Sequence, residues 1–289
     1  MPHDVPPWAE RYLKRLGLEA EAPSYDYLSR LIRARLTALA FENISKMHYF
    51  RRYPEHGWYI PDPDTYAEDV HRRDFGGLCH VGNGLFQLLL AALGYDCHSV
   101  TVGGAGPDRH THLGTTVFLD GRRLYVDVAV GHPTYAPIDI TADTQFVACG
   151  STVHFYPGED NPAVFHMDVT SAGTQRQWIM DPFEPVTLQT IDAEIRTSNQ
   201  PGRVFTSILC CRLWQPEQAR LLSLVNRSFT IHHADGRVDK RVLDTVHDFE
   251  DVLGSEYGLP RLPVGEAIEV LGSAFGVKVL GPAAGRVDA

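Results

Sequence analysis

The sequence predicts an α+β fold in three successive parts: a helical bundle over residues 1–95, a β-barrel-like part over 96–189 and an α/β part over 190–289. Three observations predict it. Apolar residues recur at helical spacing as far as a leucine-rich run ending at Leu93. From about Asp96 the apolar period drops to two, in short β-rich segments separated by Gly, Pro, Asn or Asp. From about Thr190 helical and strand-like segments mix. With 44% hydrophobic residues, the chain can bury a sizeable core.

The first helix lies in "WAERYLKRLGL", with Trp8, Tyr12, Leu13 and Leu16 at helical spacing and Gly17 as its stop. The second lies in "SYDYLSRLIRARLTAL". Ser24 is its N-cap, and Leu28, Leu31, Ile32, Arg35 and Leu36 recur at three and four. Asp62-Pro63-Asp64 predicts a turn into a short helix reaching Arg72. A third substantial helix is expected from about Asn83 to Leu93, ended by Gly94. Strands follow in "CHSVTVGG", "THLGTTVFL", "RLYVDVAV", "TQFVACGSTVHFYPG", "AVFHMDVTSAG" and "QRQWIMDP". Asp120-Gly121 is a two-residue hairpin turn between "TTVFL" and "RRLYVDV". Short strands at this spacing predict a small barrel or a curled sheet. In the last part, "IDAEIRTSN", "HDFEDVLGSEYGL" and "VGEAIEVLGSAFG" read as helices. "VFTSILCCRLW" and "RSFTIHHADGRVDKRVL" read as strands, and "GPAAGRVDA" as a frayed tail.

The 26 basic and 36 acidic residues leave a net charge of −10, which argues against nucleic acid or an anionic membrane surface as partner. "MPHDVPPWAERYLKRLGLE" lacks the apolar core of a signal peptide, and the leucine run is too short to span a bilayer. A cytoplasmic soluble protein is expected. The five cysteines, Cys79, Cys97, Cys149, Cys210 and Cys211, are scattered and lack CxxC spacing. That pattern indicates neither a disulfide framework nor a structural zinc site, and no permanently bound cofactor is expected.

Cys79 is the candidate nucleophile. The thiolate is the reactive form of cysteine, and a helix N-terminus or a nearby cation favours it. Cys79 lies just ahead of the leucine helix, behind Gly76-Gly77 and downstream of Arg72 and Arg73. The Gly pair, having no Cβ, lets backbone approach whatever the sulfur attacks. The same cysteine also reads as a buried structural thiol. A nucleophile needs a base, and the base needs an orienting group. His110 and His112 in "RHTHLGTTVFL" and Asp127 in "RRLYVDVAVG" are the candidates. Antiparallel pairing about Asp120-Gly121 brings Asp127 opposite Leu113 or Gly114, within a residue or so of His112. A carboxylate there would fix the imidazole tautomer. Asp127 lies between Val126 and Val128, where a charge is costly unless paired, and it also reads as a solvent-facing residue of a half-exposed strand. His110 and His112 share a strand face, so with Asp127 they form an alternative metal-binding set.

Several blocks resemble the arylamine N-acetyltransferase family. "LTALAFENISKMH" is similar to its "PFENL" segment, and "GGLCHVGNGLFQLLLAALGY" to its "RGGYCFExNGLFxxLLxxLGF" block. "HTHLGTTVFLDGRRLYVDVAVG" is similar to its "THxxLLVxxxGxxYLVDVGFG" block. "NRSFTIHHADGRVDKRVL" and "DFEDVLGSEYGL" resemble its C-terminal hairpin and closing helix. The likeness runs in order through most of the chain. It implies a catalytic triad of Cys79, His112 and Asp127 on a core related to papain-like and transglutaminase-like cysteine enzymes, with a C-terminal α/β lid. It implies ping-pong acyl transfer: Cys79 takes an acyl group, typically from acetyl-CoA, and an arylamine or similar amine takes it from the enzyme. Backbone N–H groups near Cys79 would stabilise the oxyanion, with Gly77, His80 and Val81 shaping the site. The stretch "VAVGHPT", with Gly131, matches a turn that lies near cofactor phosphates in related enzymes.

The sequence departs from the family pattern around the nucleophile. His80 and Val81 stand where the family carries an aromatic and an acid. Asp74 and Phe75 precede the Gly pair where the family has Arg, and Ala129 and Val130 replace a Gly and a Phe. The family also includes amide synthases that release or cyclise polyketide chains from an acyl carrier protein. That branch is the alternative for donor and partner. A thiol hydrolase using the same triad and a non-catalytic relative are further alternatives.

Overall fold

The computed structural model describes residues 5–56, 60–103, 112–129, 134–140, 142–148, 151–161, 164–171, 174–181 and 184–281. Helix α1 (Pro7–Leu16) buries Ala9, Tyr12, Leu13 and Leu16 along one stripe. Helix α2 (Tyr25–Ala38) begins at Ser24, whose hydroxyl accepts a hydrogen bond from the Tyr27 N–H. A two-residue strand, β1 (Phe41–Glu42), leads into α3 (Ile44–Arg52), a helix that the apolar spacing does not announce. Helix α4 (Pro63–Arg73) is capped by Asp62 and has Pro63 at its first position. Helix α5 is Cys79–Ala92. It starts four residues before the expected Asn83, behind Leu78, an N-cap residue with no side-chain acceptor. The usual Ser, Thr, Asp or Asn start signal is therefore missing.

The middle of the chain is an eight-stranded sheet in the order β5-β4-β3-β2-β9-β8-β7-β6. Its strands are β2 (Asp96–Gly103), β3 (His112–Leu119), β4 (Arg122–Val126), β5 (Ile138–Asp139), β6 (Thr144–Ala148), β7 (Ser151–Pro157), β8 (Phe165–Ser171) and β9 (Thr174–Met180). The edge strands β5 and β6 are consecutive in sequence. Eight flat strands would hold them roughly 34 Å apart. The connection from Asp139 to Thr144 spans at most about 18 Å, so the sheet curls into a nearly closed barrel. Val100, Val102, Tyr125, Phe155, Met167 and Val169 fill its interior. Helix α5 packs on β2 and β3, and Leu85, Phe86, Leu89 and Leu90 share one core with Val117 of β3, Leu124 and Val126 of β4, and Val128.

The C-terminal part begins with α6 (Asp192–Ser198) and α7 (Val204–Ser207). "VFTS", expected as strand, is one helical turn. The Phe205 carbonyl and that of Ile208, just after the turn, both accept from the Asn43 side chain, a tertiary tie that overrides β-propensity. The strands β10 (Cys210–Gln215), β11 (Arg220–Val225), β12 (Ser228–His233) and β13 (Val238–Val242) form a second sheet. Its order is β1-β10-β11-β12-β13, so the strand from the N-terminal region is one edge. Helices α8 (Val246–Ser255) and α9 (Val264–Phe275) complete this α/β part. Residues Ala40, Ile44, Met47, Tyr49 and Phe75 share a core with Leu213, Leu222, Phe249 and Leu271. The expected frayed tail beyond Gly281 lies outside the described residues. Among the described residues no helix is long and apolar enough to cross a membrane.

Candidate active site

Cys79 is the first residue of α5 and is 6% exposed. The turn before it is held from inside the protein. Glu42, fully buried, accepts from the N–H groups of Gly76 (3.0 Å), Gly77 (2.7 Å) and Ser45 (2.8 Å). The Gly76 carbonyl accepts from the buried Arg35 guanidinium (2.6 Å) and the Tyr66 hydroxyl (3.0 Å). Asp74, also buried, pairs with Arg15 and Arg261, so the acid that replaces the family's Arg still finds opposite charge. The bare α-carbons of the Gly pair face the chain itself. A Cβ on Gly76 would lie 1.9 Å from the Ala40 carbonyl oxygen. Gly77 has φ +81°, and a Cβ there would lie 2.8 Å from Val81 Cγ1. Glycine at both positions makes room for Ala40 and Val81 rather than for a substrate.

The hairpin register pairs Thr115 with Val126, which brings Asp127 level with Gly114 and within reach of His112. The His112 Nε2 lies 2.6 Å from Asp127 Oδ2. Tyr125 donates its hydroxyl to the same oxygen at 2.8 Å. The other oxygen accepts from Asn83 Nδ2 at 2.8 Å and from the Ala129 N–H at 3.1 Å. Asn83 also donates to the Leu113 carbonyl and accepts from the Val128 N–H. One α5 side chain thus locks the two strands that carry His112 and Asp127. Both of those residues are buried. Burial opposes the charged imidazole, but the Asp127 carboxylate, and Cys79 after it, raise the His112 pKa to about 10. Burial likewise opposes the Asp127 carboxylate, yet His112, Asn83 and the Ala129 N–H hold its pKa below the usual range. Cys79 lies close enough to the imidazole to act on its charge. With Nε2 engaged by Asp127, Nδ1 is the nitrogen left for the sulfur. Trp178 stands edge-on to the His112 ring, with centroids 5.4 Å apart.

The other described thiols differ. Burial pushes Cys97 up to about 11, Cys210 up to about 12 and Cys211 well above the ordinary thiol value, which leaves them inert at neutral pH. Among the described cysteines, Cys79 is the one beside a histidine–carboxylate pair. A cavity of about 70 Å³ opens at Cys79, with His80 and Val81 on its wall. His110, Cys149 and Gly131 lie outside the described residues. Sequence reasoning assigned no part to Glu42, Asn83, Tyr125, Arg35 or Lys46. Their one visible signal is polarity within apolar stretches such as "ALAFENI" and "RLYVDV".

A family model for N-acetyltransferase matches residues 24–262. The chain belongs to the arylamine N-acetyltransferase family. It is accordingly an acyltransferase that forms amide bonds. Solved arylamine N-acetyltransferases share its fold. The enzyme from Salmonella typhimurium has a TM-score of 0.78 at 19% identity, over 93% of this chain and 99% of that one. The Mycobacterium abscessus enzyme has 0.74 at 20% identity, over 91% and 93%. The Mycobacterium marinum arylamine N-acetyltransferase in complex with CoA has 0.70 at 22% identity, over 92% and 98%. A search of curated protein sequences finds no match.

Proposed function

We propose that this arylamine N-acetyltransferase family member transfers an acyl group, acetyl from acetyl-CoA in the first instance, through a Cys79 thioester to an arylamine or similar amine. The observation that carries this reading is the buried Asp127–His112 pair with Cys79 against the imidazole. In the first half-reaction the Cys79 sulfur attacks the donor thioester carbon with its proton already held on His112. The open N–H groups of the first turn of α5 are the donors in reach of the oxyanion. The intermediate collapses with cleavage of the carbon–sulfur bond to CoA, whose thiolate leaves with the proton from His112. In the second half-reaction the amine nitrogen attacks the Cys79 thioester, His112 removes a proton from nitrogen, and Cys79 is expelled as the amide forms. Asp127 holds the imidazole in one orientation and balances its charge through both halves. The family assignment and the CoA complex of the M. marinum relative support CoA as the donor.

Intact-protein mass spectrometry after incubation with acetyl-CoA tests the reading. One added acetyl group is expected, located on the Cys79 peptide and lost when an arylamine is added. Cys79→Ser is expected to carry none, because a serine hydroxyl is a far weaker nucleophile beside an imidazole. Labelling by a longer acyl thioester but not by acetyl-CoA would move the donor to an acyl chain delivered by another carrier. No adduct from any thioester would sink acyl transfer through Cys79.

A further inference from the structure

The cavity beside Cys79 holds a charge that acyl transfer leaves unused. Its wall is largely apolar, with Met47, Phe50, Ile60, Val81, Phe205 and Phe275 on it. Lys46, in the first turn of α3, lines the same space and is half-buried. Among the described residues no ion pair or hydrogen bond holds its ammonium, and no Asp or Glu lines the cavity. Burial pushes the Lys46 pKa down to about 8, and the groups acting the other way are the thiols Cys79 and Cys210 rather than a carboxylate. A second polar group is also unmatched. The His80 Nε2 is buried without a partner among the described residues. Burial first, then the charges of His112 and Lys46, push the His80 pKa down to about 3, so its ring is neutral. Val81 takes the position of the family's acid, so no carboxylate there neutralises Lys46. A cation taken partly out of water without a counter-ion is costly, and a carboxylate on a ligand removes that cost.

We propose that Lys46 receives a carboxylate carried by the small molecule that reacts at Cys79, and so selects an anionic substrate. This rests on the reading of Cys79 as the reacting thiol. The cavity, about 70 Å³, is under half of the ~150 Å³ that takes up benzene, so the group that enters it is short. It is either the far end of a short diacid acyl chain on the donor or the carboxylate edge of an amine whose ring stays outside.

Alkylation of Cys79 separates charge recognition from acyl transfer. Iodoacetate and iodoacetamide are close in size, and each forms a thioether with loss of iodide, but only the first carries a carboxylate. Their rate ratio at the Cys79 peptide, read by mass spectrometry, cancels the nucleophilicity of the sulfur itself. The native ratio is expected to exceed that of Lys46→Met by roughly fivefold or more, with Lys46→Arg restoring it. Should Lys46→Met fail to fold, Lys46→Gln is expected to lower the ratio by a similar factor. Equal ratios overturn the proposal, whether or not the enzyme turns over acetyl-CoA. Acyl-transfer assays then separate the two sources. A preference for malonyl-CoA over butyryl-CoA that Lys46→Met abolishes assigns the carboxylate to the donor. A preference for p-aminobenzoate over p-toluidine that it abolishes assigns the carboxylate to the acceptor. Indifference in both pairs overturns the proposal.

Discussion

Asp127 is the residue on which the site turns. It lies in the apolar run "YVDVAV", and its cost there is met by donors from His112, Tyr125, Asn83 and the Ala129 backbone. Asp127→Asn replaces an acceptor-only group by one that must turn an NH₂ toward one of these donors. We expect acyl-Cys79 formation to slow by roughly 10²–10⁴-fold, as when the analogous carboxylate of a serine-based triad is neutralised. Tyr125→Phe removes one donor and leaves the His112–Asp127 contact. It is expected to slow the same step by no more than about tenfold and to destabilise the fold by about 1 kcal/mol. Stopped-time mass spectrometry of the acyl-enzyme, with urea unfolding alongside, measures both. If the two variants behaved alike, Asp127 would not be the orienting group. The partnership of His112 with Asp127 was legible in the sequence, because a two-residue turn fixes strand register. Asn83 and Tyr125 were not. Asn83 reaches Asp127 from a helix 44 positions away in the chain, a proximity that no local pattern encodes.

At the scale of elements, Cys79 is placed by a turn rather than by its own helix. The first turn of α5 has no side-chain cap, and the preceding backbone is pinned by Glu42 from β1. Glu42→Gln would set an amide NH₂ against the backbone N–H groups of Gly76, Gly77 or Ser45. We expect a loss of about 1–3 kcal/mol in unfolding free energy, the range for leaving a buried donor without its acceptor. Acyl-Cys79 formation should fall with it, measured well below the unfolding midpoint so that the fold is intact. Unchanged acylation in a destabilised variant would show that the turn holds Cys79 without Glu42. Helical spacing revealed α1, α2 and α9 because each buries one stripe. It missed α3 and misread Val204–Ser207, since both are short segments settled by packing between the N- and C-terminal regions.

At the scale of the whole molecule, stability should follow the His112–Asp127 pair with pH. A histidine whose folded pKa is raised from near 6.5 to about 10 contributes stability fully below pH 6.5 and loses it as pH rises toward 10. Asp127, held below its ordinary value, contributes above about pH 4 and loses its contribution in acid. Between pH 6.5 and 9.5 the unfolding free energy should therefore fall, by at most about 1.4 kcal/mol per pH unit from this group. Urea titrations of the native protein and of His112→Gln isolate the effect, because other groups titrating in that window, Lys46 among them, are common to both. Parallel pH slopes would mean that His112 carries no raised pKa. The sequence by itself determined the α+β class and the histidine and carboxylate that meet, because spacing and turn length act locally. Only the tertiary structure decided that residues 40–53 pack with the C-terminal part, that Glu42 sets the turn before Cys79, and that Lys46, unpaired among the described residues, lines the cavity. Those are contacts between segments far apart in the chain, chosen by which polar groups find partners when the core closes.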